Sequence, residues 1–178
     1  MPSLRPANCA DKLSPMSRLR ILLIASLLSC PALVPGQNTA SFGKSNKAAI
    51  EQLLDRYVRA YSAKDYAALR ECIQVPFIRL PNTAMWDVLG TVDEAMTYYR
   101  NQRDALDKDN YDHSQFVQTR ITALGTNRAL VDQTYRRYRK DGTLLLEAAA
   151  IYVVSKSSGA WKLCGVLVQD LKEFGKVY

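Results

Sequence analysis

The chain has 178 residues, 48% of them hydrophobic, which suits one packed domain with an extension and excludes a disordered chain. The net charge is +7, part of it from Arg5, Lys12, Arg18 and Arg20 in residues 1–36; the remaining charges are interspersed. The densest basic run, Arg136-Arg137-Tyr138-Arg139-Lys140, divides between the two faces of a strand, so no nucleic-acid footprint is expected. One histidine and no Cys/His cluster argue against a zinc site, and no motif calls for a cofactor.

The first 36 residues read as a targeting segment. Met16-Ser17-Arg18-Leu19-Arg20 is a basic start, Ile21 to Leu28 is apolar, and Ser29 to Gly36 carries the helix-breaking Pro31 and Pro35. The apolar run falls short of the ~20 residues of a membrane span. Polar, proline-containing residues 1–15 point to Met16 as the true start. Val34 and Gly36 fit a cleavage that leaves Gln37 first, giving an exported protein, periplasmic or secreted. A competing reading takes Leu27-Leu28-Ser29-Cys30 as a lipobox with lipidation on Cys30.

A polar linker, 37–45, precedes the domain, 46–170, and a tail, 171–178, follows it. Ile50, Leu53, Leu54, Tyr57, Val58 and Tyr61 recur at helical spacing and predict a helix over 47–62, with Asn46 as N-cap. Asp65 caps a second short helix that turns Tyr66, Leu69, Cys72 and Ile73 inward. Residues 75–80 and 84–89 read as short strands about the Pro81-Asn82 turn. Thr91 and Glu94 form a capping box for a helix over 92–107, with Ala95, Met96, Tyr99 and Leu106 facing inward.

From His113 onward the period becomes two, predicting strands over 114–124, 128–140, 143–155 and 160–170. Asp141-Gly142 predicts a two-residue hairpin with positive φ at both positions. Partners then sum so that Arg136 faces Glu147, an opposite-charge pair. One face carries Ala129, Val131, Gln133, Tyr135 and Arg137 beside Leu146, Ala148, Ala150, Tyr152 and Val154. The other carries Leu130, Asp132, Thr134, Arg136 and Tyr138 beside Leu145, Glu147, Ala149, Ile151 and Val153. A four-residue loop at 156–159 extends the first face to Trp161, Leu163, Gly165, Leu167 and Gln169, and the second to Cys164, Val166 and Val168. Small residues at Ala148, Ala150 and Gly165 suit a concave surface under the helices. The apolar second face suggests a partner, most simply a homodimer. Cys72 and Cys164 are open to pairing in an oxidising compartment or to remaining two buried thiols.

The sequence resembles the nuclear transport factor 2-like superfamily, in its SnoaL-like branch. The resemblance rests on Tyr57 to Leu69 across the first two helices, Arg128-Ala129-Leu130-Val131 opening a strand, Arg139 to Gly142 at the hairpin, and Trp161-Lys162-Leu163 opening the last strand. It implies an α+β fold: a cone-shaped roll of three N-terminal helices on a strongly bent, mainly antiparallel sheet, with a pocket between them and dimerisation through the outer sheet face. Some members are lyases or isomerases and others are binding or assembly domains, so the fold does not fix the function.

Acid–base chemistry in such a cone calls for a tuned group reaching inward. By the register, Asp132 and Glu147 face outward and the inner face holds no carboxylate. His113 and Tyr135 are the candidate acid–base groups. Tyr57, Tyr61, Tyr99, Gln133, Tyr135, Arg137, Tyr152 and Trp161 are candidates to line a ligand site, and each tyrosine is equally an ordinary core aromatic. Arg137, if inward, needs a partner: a ligand carboxylate, Asp87, Asp93 or a carboxylate elsewhere on the rim, or water reached by snorkelling. Three functions remain open. One is binding of a small, partly apolar, anionic molecule. The second is a lyase or isomerase acting in the same pocket, and the third is a structural or assembly domain.

Overall fold

The computed structural model describes residues 42–81, 85–169 and 171. The targeting segment, with its start at Met16, cleavage at Gly36 and alternative lipidation at Cys30, lies outside the described residues, as does all of the tail but Leu171.

Helix α1 (Lys44–Ala63) buries Ile50, Leu53, Leu54, Tyr57, Ala60 and Tyr61, the face that the helical spacing predicts. It begins two residues into the stretch read as linker. Its N-cap is Gly43, with no side-chain cap bond. Asn46 is therefore not the cap; its Oδ1 accepts from the Trp161 indole at 3.3 Å. Lys64 takes a left-handed conformation (φ 56°) that ends α1, and Asp65 starts α2 (Tyr66–Cys72) by accepting from the Ala68 amide at 2.9 Å. Strands β1 (Ile73–Leu80) and β2 (Asp87–Leu89) follow. Helix α3 (Val92–Asp107) opens with the Thr91/Glu94 capping box complete. Strands β3 (Tyr111–Ala123), β4 (Arg128–Arg139), β5 (Leu144–Ser157) and β6 (Ala160–Gln169) complete the fold.

The six strands form one sheet in the order β2-β1-β6-β5-β4-β3. Every pairing is antiparallel except β1 with β6, which is parallel. Residues of all three helices and of one sheet face make a single core. Bulges interrupt β3, β4 against β5, β5 against β6, and β1 against β6, and such insertions bend and twist the strands around the helices.

The β4–β5 register matches expectation from Arg128 to Arg137, with Arg136 opposite Glu147 and Nε to Oε2 at 2.9 Å. The turn does not match. Only Gly142 has positive φ (81°). Arg139 N–H bonds Thr143 O, and Gly142 N–H bonds Arg139 O, so the loop is one residue longer than predicted. A bulge between Arg137 and Tyr138 removes the offset. The two-residue turn with both φ values positive lies instead at Ser158-Gly159 (53° and 85°), where Ser157 pairs Ala160. That pairing keeps Trp161 and Leu163 inward. A bulge at Cys164 then reverses the alternation, so Val153 pairs Gly165 and Tyr152 pairs Val166. Gly165, Leu167 and Gln169 therefore belong to the outer face and Val166 and Val168 to the inner, contrary to strict alternation. Gly165 serves close strand approach, not a concave floor: a Cβ there would sit 3.1 Å from the Ile78 carbonyl oxygen.

Candidate functional site

Alanines at 148 and 150 leave room on the inner face, and aromatic rings from the helices fill it. Tyr57 stands edge-on to Tyr99 and Tyr152, with ring centroids 6.0 and 5.7 Å apart. Tyr61 packs edge-on against Tyr99 and Tyr111, and Phe77 closes on Tyr99. Tyr57 donates to Tyr99 Oη at 3.4 Å. Burial raises the pKa of Tyr57, Tyr61, Tyr99 and Tyr152, so all four phenols stay neutral near pH 7. The narrow void left between Tyr57, Tyr61, Phe116, Tyr135, Arg137 and Tyr152 measures about 20 Å³. That is room for one water, not for a small organic ligand. The expected deep pocket is thus closed by its own aromatic lining.

The open space lies farther along the same face, at the mouth of the cone. A groove of about 460 Å³ runs between Gln102, Tyr135, Arg137, Leu146, Ala148 and Val168, with Glu147, itself paired with Arg136, on its rim. Arg137 forms part of the wall of both the groove and the small void. Its guanidinium stands 5.2 Å from the Tyr135 ring centroid and 5.9 Å from that of Tyr61. Its Nε is buried without a hydrogen-bond partner. The carboxylates that could have neutralised it are engaged elsewhere: Asp87 with Arg79, Asp93 with Arg70, and Glu147 on the groove rim with Arg136. Among the described residues, Arg137 has no acidic partner. Burial works against its charge; the phenols of Tyr61, Tyr135, Tyr111 and Tyr152 raise its pKa above the ordinary guanidinium value only through their ionised forms at high pH, so near pH 7 the cost of burial stands.

The remaining sequence candidates fall elsewhere. His113 pairs Tyr138 across the strands, and Phe116 pairs Tyr135; His113 and Tyr135 therefore point to opposite sheet faces and cannot meet one substrate. His113 is half exposed, bonded through Nδ1 to Asp112 at 2.8 Å and stacked on Tyr138. Trp161 sits apart from the cone, edge-on to Phe42 and bonded to Asn46. Gln133 is fully buried and faces a cleft between α1 and β3, away from the small void.

Two residues near the site escaped the sequence reading. Arg103 is 3% exposed, lies 4.2 Å above the Tyr111 ring and pairs Asp107 at 3.0 Å. Tyr111, 1% exposed, bonds Ser114 Oγ at 2.7 Å. Arg103 was detectable, since 96, 99 and 103 continue the inward helical spacing. Cys72 and Cys164 are free thiols. Among the described residues no group of three or more His, Cys, Asp or Glu side chains is placed to hold a metal, and no helix is long and apolar enough to cross a membrane.

A family model described as NTF2-like protein (DUF6841) matches residues 46–171. None of the curated proteins matches significantly. Among solved structures, an NTF-2 like protein of unknown function from Shewanella oneidensis MR-1 is 18% identical, with TM-score 0.57, covering 70% of this chain and 99% of its own. A protein of unknown function with a cystatin-like fold from Nostoc punctiforme PCC 73102 is 11% identical, with TM-score 0.60 over 72% and 92%. A ketosteroid isomerase-like protein from Erwinia carotovora atroseptica SCRI1043 is 15% identical, with TM-score 0.54 over 72% and 98%. At these identities the likeness is one of fold. The SnoaL-like branch is a finer placement than these matches reach.

Proposed function

The chain belongs to the NTF2-like family DUF6841, and from that premise we propose that it is an exported binding domain for a small anionic molecule with an apolar body, held at the mouth of the cone. One observation carries this reading. Arg137 presents a partly buried guanidinium, without an acidic partner among the described residues, to a groove floored by Tyr135, Ala148 and Val168. A buried cation without a partner is costly, and a ligand carboxylate would supply the missing bidentate contact. Tyr135 and the aliphatic floor would take the apolar body. The lyase or isomerase alternative has less support, because its two acid–base candidates lie on opposite faces of the sheet.

The test is thermal denaturation with benzoate, phenylacetate and hexanoate, each beside its uncharged amide. The acids are expected to raise the midpoint and the amides are not. Arg137→Gln should weaken acid binding by about tenfold to a hundredfold, the loss of one charge-assisted contact of ~1.5–3 kcal/mol. Equal shifts in the variant, or none with any acid, would reject the reading. Export is tested by mass spectrometry of the secreted or periplasmic form: an N-terminal Gln37 supports cleavage at Gly36, and a lipidated Cys30 supports the anchor.

A homodimer is favoured by a separate observation. On the face turned away from the helices, Ile78, Leu80 and Val88 are 37%, 38% and 54% exposed, beside the half-buried Leu130, Ile151, Val153 and Leu167. Exposed apolar surface of this kind marks interfaces. Sedimentation should give a dimer that Ile151→Glu dissociates; a wild-type monomer would end the proposal.

A further inference from the structure

Gln133 is the largest polar side chain in the core apart from Arg103, and it is only half satisfied. Its Oε1 accepts from the Thr119 hydroxyl at 3.1 Å, while its Nε2 is buried with no hydrogen-bond partner. An amide N–H group left dry and unpaired costs about 1–3 kcal/mol, and buried polar groups are seldom left so. The side chain lies on the floor of a cleft of about 380 Å³ between α1 and β3. Leu54, Val58 and Phe116 supply apolar walls. On the rim Glu51 is paired with Lys47 at 3.8 Å and Asp55 with Arg59 at 2.7 Å. Thr119, the side chain bonded to the Gln133 amide oxygen, is exposed on the edge strand.

From this combination we infer a second binding site, distinct from the groove at Arg137, for a small uncharged molecule that carries a carbonyl acceptor on a compact apolar body. The unpaired Nε2 requires an acceptor. With Lys47 and Arg59 both already paired to the rim carboxylates, the rim gives an anion no unengaged cation. The walls of Leu54, Val58 and Phe116 suit a ring or short chain. A lactam or lactone meets all three conditions, whereas an organic acid meets only two.

The experiment is a titration of the ¹⁵N-labelled protein with ε-caprolactam and, separately, δ-valerolactone, following the Gln133 side-chain amide in heteronuclear NMR; hexanoate is the anionic comparison. The expected result is a saturable shift of the Gln133 amide with the lactam or the lactone and none with hexanoate. Gln133→Met should weaken lactam binding by about tenfold or more, ~1.4 kcal/mol per decade, while Arg137→Gln leaves it unchanged. The wild-type titration decides the matter even if Gln133→Met does not fold. An unresponsive Gln133 amide at the solubility limit of both probes would overturn the inference. So would a long-lived bound water at the amide that neither probe displaces, since solvent would then satisfy the group.

Discussion

Substituting Asp107 by Asn should destabilise the domain more than removing the buried cation that Asp107 neutralises. The Arg103 side chain is 4% exposed and that of Asp107 35%, so the pair lies between the fully buried case, where loss of one partner costs ~3–5 kcal/mol, and the exposed case, worth ~1 kcal/mol or less. About 2 kcal/mol follows for Asp107→Asn, because Arg103 keeps its charge while retaining only the Tyr111 face and a 3.5 Å bond to the Ser62 carbonyl oxygen. Arg103→Met removes the charge along with its requirement and fills similar volume; it should cost ~1 kcal/mol or less. Lys64 also bonds Asp107, and Lys64→Met measures that exposed share separately. For a domain of this size about 2 kcal/mol corresponds to roughly 6–12 °C in Tm. Urea denaturation with unchanged slope gives the free energies. If Arg103→Met proves as damaging as Asp107→Asn, the reasoning from an uncompensated charge is wrong, and packing against Tyr111 is what Arg103 provides.

Gly165→Ala should destabilise by about 1 kcal/mol or more through overpacking against the Ile78 carbonyl, measured by urea melts; a neutral result would mean that the parallel β1–β6 pair can separate. Thr91→Ala should cost about 1 kcal/mol through loss of the α3 cap, read as a lowered Tm. Asn46→Ser, which an N-cap would tolerate, should lose as much stability as Asn46→Ala, because the shorter side chain cannot hold the Trp161 indole. The carboxyls of Asp87 and Asp107 are held below their usual range by Arg79 and by Lys64 with Arg103, respectively. Their folded pKa values are depressed, so their contribution is complete above the unfolded value near ~3.9. It is lost as pH falls through the folded values. Stability measured against pH should therefore decline below about pH 4, and Asp107→Asn should flatten that decline.

Local chemistry was the part most readable from sequence. Asp65, Thr91 and Glu94 cap because their side chains satisfy amides three residues away, and no tertiary information is needed. The Arg136–Glu147 pairing was also legible, although the loop and a compensating bulge reached that register by another route. Bulges were not legible. Strict alternation carried Gly165 and Val166 to the wrong faces, since an inserted residue leaves no mark in a two-residue period. The parallel partnership of β1 with β6 joins segments distant in the chain and has no local signal. For the site, alternation placed Tyr135, Arg137 and Tyr152 on the correct face, but whether tyrosines line a cavity or fill it depends on how α1 and α3 pack. His113 and Tyr135 could be separated by face only once the β3–β4 pairing was known.

The extra residue at Cys164 divides β6 into two regular half-strands, each of which serves both neighbours. Leu163 faces the core and pairs Ile73 of β1; beyond the bulge Val166 still faces the core while Gly165 and Leu167 pair Ile78 and Leu80. Deleting Cys164 would leave a regular strand, with Leu163 opposite Val154 and Gly165 opposite Val153, and every later residue would keep its side. Straightening the strand with Cys164 retained would instead expel Val166 from the core and drive Leu167 into it. One residue without a pairing partner thus lets a single strand turn Leu163 and Val166 to the core and Gly165 to Ile78. The tolerated change at this point is loss of that residue, and the damaging one is its forced inclusion in the ladder.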